Sequence, residues 1–161
     1  MLKSLFLACA LTLALPGLGQ AQSTEEPSEA AMTFVGAFSD GHLTSMLQRI
    51  GARQPIMVAA SQLNGQVLAA VFDAEIAQAV KVHGPQWQRN MALSWTPLLS
   101  DDEMLSLVAE GAGSPHSEKY LELRSEAGQT MQGLSGEFFK TILADVIAQT
   151  MKQLGDDAPE Q

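Results

Sequence analysis

The sequence predicts an all-α fold, a helical bundle of about six helices, and three observations carry that prediction. Apolar residues recur at three- and four-residue steps along most of the chain. Prolines, glycines and cap-forming residues interrupt those rows at helix-length intervals. No segment alternates apolar with polar residues as a half-buried strand would.

The first 22 residues, MLKSLFLACALTLALPGLGQAQ, combine Lys3, an apolar run from Leu5 to Leu15 and the small residues Gly19 and Ala21. That pattern predicts a signal peptide over residues 1–21, cut after Ala21 and leading to a periplasmic or secreted product. The apolar run is shorter than the ~20 residues a membrane-spanning helix needs, and no later run is longer, so no membrane span is expected. Cys9 is the single cysteine and lies within the leader. The exported chain is then expected to fold without disulfides or thiolate metal sites, in a compartment where bridges would be permitted.

Residues 22–29, QSTEEPSE, are polar and contain Pro27, and are expected to form a flexible lead-in to a single helical domain over 30–154. The final residues 155–161, GDDAPEQ, are expected to be a disordered acidic tail. Loss of Lys3 with the leader leaves 8 basic against 18 acidic residues, a net of −10. Such a charge repels phosphate backbones and anionic lipid, so nucleic acid is not an expected partner.

Within the domain, Met32, Val35 and Phe38 mark a short first helix closed by Asp40 and Gly41. Leu43, Met46, Leu47 and Ile50 mark a second, which stops near Pro55. The next stretch, PIMVAASQLNGQVLAAVFD, admits two readings. Asn64-Gly65 between apolar runs is a hairpin signal, but neither flank alternates, and Leu68, Phe72, Ile76 and Val80 repeat at four-residue steps as a helix would. The helical reading is favoured, with Lys81, His83, Gly84 and Pro85 as its stop and Pro85 opening a further helix that carries Trp87, Met91 and Trp95 on one face. Pro97 ends that helix.

Ser100, Glu103 and the apolar Met104, Leu107 and Val108 fit a capping box, with Asp101 and Asp102 in the first turn favouring the positive end of the helix dipole. Consecutive helical side chains point about 100° apart, so these three acids cannot converge on one cation. Gly111 and Gly113 suit helix termination, and Ser114-Pro115 suits a new start. Tyr120, Leu123, Ala127 and Met131 face inward from the helix that follows, and Gly133 with Gly136 marks a predicted turn. A last helix from about Ser135 to Leu154 buries Phe139, Ile142, Leu143, Val146, Ile147 and Met151.

The combination of a Trp-bearing helix, the LSDDEM cap at Leu99 to Met104 and the GSPHSEKY segment resembles a family of small exported bacterial proteins, the domain of unknown function 2059 family, over roughly residues 66–154. Its pattern is an acid-capped helix, an aromatic pair, Ser-Pro and a Gly-x-Lys-like segment. Ser114, Pro115 and Lys119 match, whereas Glu110 and Gly111 replace the aromatic pair and Ser117 replaces the glycine. The resemblance implies an all-helical periplasmic fold and no defined activity.

Side chains that could carry chemistry are scattered. His42, His83 and His116 each sit near an expected helix end, and no two share a helical face at ligand spacing. Ser135 lies in GLSG, not in a nucleophile elbow. The methionines fall singly at core positions. No catalytic residue, metal site or cofactor is therefore expected.

Glu118, Glu122 and Glu126 are the exception, because they stack like charges at i, i+4 and i+8, and each adjacent pair costs ~0.2–0.5 kcal/mol. The ridge is expected either to be solvated or to receive a cation: a basic protein partner, or Arg49, Arg53 or Arg89 of the chain itself. Two functional expectations follow. One is a non-enzymatic protein-interaction or envelope-accessory domain; the other is a carrier holding a small apolar ligand between helices near Trp87, Met91 and Trp95.

Overall fold

The computed structural model describes residues 26–39 and 41–156. The expected leader, the start of the lead-in, Asp40 as a helix stop and the last five residues lie outside the described residues. The domain is all-α, with five α-helices, one short 3-10 helix and no strand among the described residues. They are α1 (Glu29–Phe38), α2 (His42–Gly51), α3 (Pro55–Trp95), α4 (Asp101–Glu110), the 3-10 turn Gly111–Gly113, and α5 (Ser117–Asp156).

α1 begins at Ser28, whose hydroxyl accepts from the Ala31 N–H at 3.1 Å and donates to Asp101 at 2.6 Å, joining the starts of α1 and α4. Gly41 turns the chain into α2 with φ 69°, a left-handed conformation that glycine adopts without a Cβ clash. α4 opens with the capping box foreseen in the sequence. Ser100 Oγ accepts from the Glu103 N–H at 3.3 Å, and Glu103 accepts from the Ser100 N–H at 2.8 Å.

The frame of the molecule is the pair α3 and α5, of 41 and 40 residues. They run antiparallel: Asn90 bonds Ser135 at one level, Trp87 meets Phe139 at the next, and Gln153 bonds Glu75 far along the pair. At 1.5 Å per residue each spans ~60 Å. The short helices fill in around this pair. α1 packs on α3 and α4 through Ala31, Phe34 and Val35, and α2 packs on α3 and α5 through Leu43 and Leu47, so both N-terminal helices join the main bundle. Ile76, Met104, Leu107 and Ile142 complete the centre of the core.

One sequence expectation left open between two readings is decided, and three others need correction. The stretch 55–72 is helical, with Asn64-Gly65 inside α3, as the favoured reading held. His83-Gly84-Pro85 does not stop that helix, because Pro85 sits in its interior. A mid-helix proline costs ~3 kcal/mol. The buried row Leu68, Phe72, Ile76, Trp87 and Met91 continues in phase across it, and each large buried apolar side chain contributes ~1.5–3 kcal/mol. Gly133 and Gly136 likewise form no turn. Ala127, Met131, Ser135 and Phe139 bury one uninterrupted four-residue row, which outweighs the ~1 kcal/mol penalty of each helical glycine. The helical domain accordingly extends from Glu29 to Asp156, so Gly155 and Asp156 belong to α5 and not to the tail.

Candidate functional site

Between α2, the middle of α3 and α5 lies an apolar groove of ≈ 590 Å³. Met46 and Ile50 of α2 form one wall, Met131, Phe139 and Leu143 of α5 the other, and Trp87 of α3 borders it. Two features of α5 keep it open. Gly128 and Gly136 line the groove, and a Cβ built on either would meet nothing within 4 Å. A second apolar hollow of ≈ 780 Å³ continues along α5 past Ile147 to Met151 and shares Gln54, Lys140 and Leu143 with the first.

Trp87 is 4% exposed. His42 stacks on its ring at 5.9 Å with 26° between planes, and Phe139 meets it at 5.8 Å. The indole N–H has no hydrogen-bond partner, the one buried side-chain N or O so placed among the described residues. Such a group lacks the partner that burial normally demands. Burial of the His42 ring, with the nearby positive charge of Arg49, lowers its pKa from 6.5, which favours the neutral ring beside the groove.

Below the groove, Asn90 donates to Ser135 Oγ at 2.8 Å and to the Leu134 carbonyl at 3.3 Å, and accepts from Gln86 at 2.7 Å. Ser135 Oγ in turn donates to Met131 Sδ at 3.7 Å and is buried. This chain of bonds ties α3 to α5 at the groove floor. At the rim, Lys140 pairs with Glu137 at 2.6 Å.

Of the sequence-predicted pocket residues, only Trp87 borders the groove. Met91 and Trp95 are buried in the core, where Trp95 packs against Phe34 at 5.5 Å and Tyr120 at 5.1 Å. The reason is rotational. A four-residue step turns the helix by 400°, so the row Trp87, Met91, Trp95 swings about 80° and carries its second indole away from α2 towards α1 and the start of α5. Periodicity had no means of revealing His42, Met46, Ile50 or the two wall glycines, because the groove arises from the approach of three helices.

The acidic ridge is where the sequence placed it. Glu118, Glu122 and Glu126 are all exposed on α5, and none forms an ion pair or hydrogen bond among the described residues. Lys119, which could have served Glu122, turns to Glu103 and bonds both carboxylate oxygens at 2.7 and 2.8 Å. Arg89 pairs with Glu26 at 2.6 Å. No ion pair joins Arg49 or Arg53 to the ridge among the described residues, so the expectation of an internal cation there is not met.

Glu103 thus holds the starts of α4 and α5 together. The Lys119 ammonium and then the Ser100 N–H hold its carboxyl down at about 2, and His116 Nδ1 lies 3.6 Å away. Asp101 and Glu103 are structural, since Asp101 receives Ser28 and Glu103 closes the cap, and Asp102 stands exposed in the first turn. His42, His83 and His116 sit apart, against Trp87, Phe138 and Glu103 respectively, and no three His, Cys, Asp or Glu side chains converge as metal ligands among the described residues. No protein-family model, curated protein or solved structure matches this chain.

Proposed function

We propose that the chain is an exported, non-enzymatic binding domain that carries a small apolar ligand in the groove beside Trp87. The apolar groove itself carries this reading. Its volume of ≈ 590 Å³ falls within the range of small-molecule sites, ~300–1,000 Å³, and its walls are apolar with a few polar groups at the edge. The Trp87 ring borders the groove as a large aromatic surface. The leader-like N-terminus supports export.

Filling the groove from its own wall tests the reading. Titration with the uncharged dye Nile red is expected to give a saturable rise in emission, and Gly136→Leu, which projects into open space, is expected to weaken it about tenfold or more. Saturable binding that the filled variant leaves unchanged places the ligand elsewhere and contradicts the proposal.

The acidic ridge favours a second reading, a domain that docks a basic protein through Glu118, Glu122 and Glu126. It is supported by three exposed carboxylates that form no ion pair among the described residues. Replacing all three by Gln should weaken capture of that partner. A gain in melting temperature of the triple variant with unchanged pull-down would retire the reading.

A further inference from the structure

The fold gathers in one groove soft donor atoms that the sequence spreads over two helices. Met57, Met91 and Met104 are buried in the core, where a flexible thioether fills gaps. Met46 and Met131 differ, because both line the groove beside Trp87 and have open volume next to them. His42 lines the same groove.

The turn of α3 from Trp87 to Asn90 relates these three side chains. The His42 ring stacks on Trp87 at 5.9 Å. Asn90, three residues on, donates to Ser135 Oγ at 2.8 Å, and that hydroxyl donates to Met131 Sδ at 3.7 Å. Met46 follows His42 at the i+4 position of α2, where side chains are neighbours on a helix surface. One imidazole and two thioethers, from α2 and the facing α5, therefore border one space. The His42 ring nitrogens form no hydrogen bond or ion pair among the described residues, so a nitrogen lone pair is available to a ligand.

The donor set decides which ligand. No Asp or Glu lines the groove among the described residues, so calcium and magnesium find none of the carboxylates they need. Zinc finds one imidazole but neither thiolate nor carboxylate. Thioether sulfur beside imidazole suits copper(I). Arg49 is close enough to help keep His42 neutral, the form that binds a metal, and its repulsion is weaker for a singly than for a doubly charged ion.

We propose that His42, Met46 and Met131 bind one soft monovalent cation of the copper(I) type at the Trp87 end of the groove. This site goes beyond the carrier reading and does not rest on it, because the same thioethers are apolar wall to one ligand and electron-pair donors to the other.

Calorimetric titration of the purified protein with silver nitrate in chloride-free buffer tests the site, silver(I) being a soft monovalent cation that keeps its oxidation state in air. Saturable binding of one ion per chain is expected. The double variant Met46→Leu with Met131→Leu keeps the wall apolar and close to its volume, and should weaken binding about tenfold or more while leaving the helical circular dichroism intact. His42→Gln, a change at an exposed position, should weaken it as well. Absence of saturable silver binding overturns the proposal, as does binding that survives both the double variant and His42→Gln. Zinc(II) that binds as tightly as silver and is lost in the same variants also overturns it. Nile red titration of the unaltered protein separates the two readings of the groove. Dye binding without silver binding overturns the cation site alone, whereas silver binding without dye binding supports the site and contradicts the carrier.

Discussion

Gly51 and Gly133 are both helical glycines, yet their surroundings give them opposite roles. A Cβ on Gly51 would collide with the ring of Phe72, which is buried and cannot swing away. Gly51→Ala is therefore expected to destabilise by ~1–3 kcal/mol despite better helix propensity, whereas Gly133→Ala, with open space around it, should stabilise by up to ~1 kcal/mol. Chemical denaturation of the two variants checks both signs. Glu103 sets an acid limit at the same scale. Its carboxyl is held at about 2 against an ordinary 4.5, so unfolding takes up a proton as the pH falls through that interval. The contribution is complete above about pH 4.5 and is lost between 4.5 and 2, and Lys119→Met should flatten the fall in melting temperature across that window. His42 acts higher. Its pKa is lowered from 6.5 by burial and then by Arg49, so its stabilising contribution is whole above 6.5 and declines as the pH drops below it.

At the scale of the element, Pro85 is the clearest test of how packing overrides local propensity. It leaves the Lys81 carbonyl without the N–H four residues on, inside a helix whose buried row continues on both sides. Pro85→Ala is expected to stabilise by ~1–3 kcal/mol, read as a rise in melting temperature. The prolines and glycines mark where the sequence is and is not readable. Ser100 with Glu103, and Gly41 between α1 and α2, ended or began helices as expected, because a cap satisfies local backbone groups and needs no distant partner. Pro85, Gly133 and Gly136 resemble the same signals but are overruled by Trp87, Ser135 and Phe139, which meet partners 45 to 52 positions away. The candidate site shows the same divide. Trp87 was recognisable as a large aromatic on an inward face, and the Glu118, Glu122, Glu126 ridge as uncompensated spacing, since both are properties of one helix. The groove walls were not, because Met46, Ile50, Gly128 and Gly136 acquire their meaning only when α2 settles against α5.

For the whole molecule, two long antiparallel helices supply a rigid frame and three short helices decide which parts of it stay uncovered. α1 and α4 pack around the aromatic cluster of Phe34, Trp95 and Tyr120, whose rings meet at 5.1–5.8 Å. α2 stands off from α5 over the glycines, and that end keeps an apolar groove. On α3, Ile56 and Leu63 are exposed, and the acidic ridge of α5 forms no ion pair among the described residues. Among these surfaces the groove beside Trp87 is the one built by several elements together, and it is the centre of the functional account. Native mass spectrometry of the protein purified from its own host tests it most directly. A retained small molecule, lost on denaturation and absent from the Gly136→Leu variant, is the expected result; a bare polypeptide mass from both, with no uncharged apolar compound binding saturably to either, would contradict it.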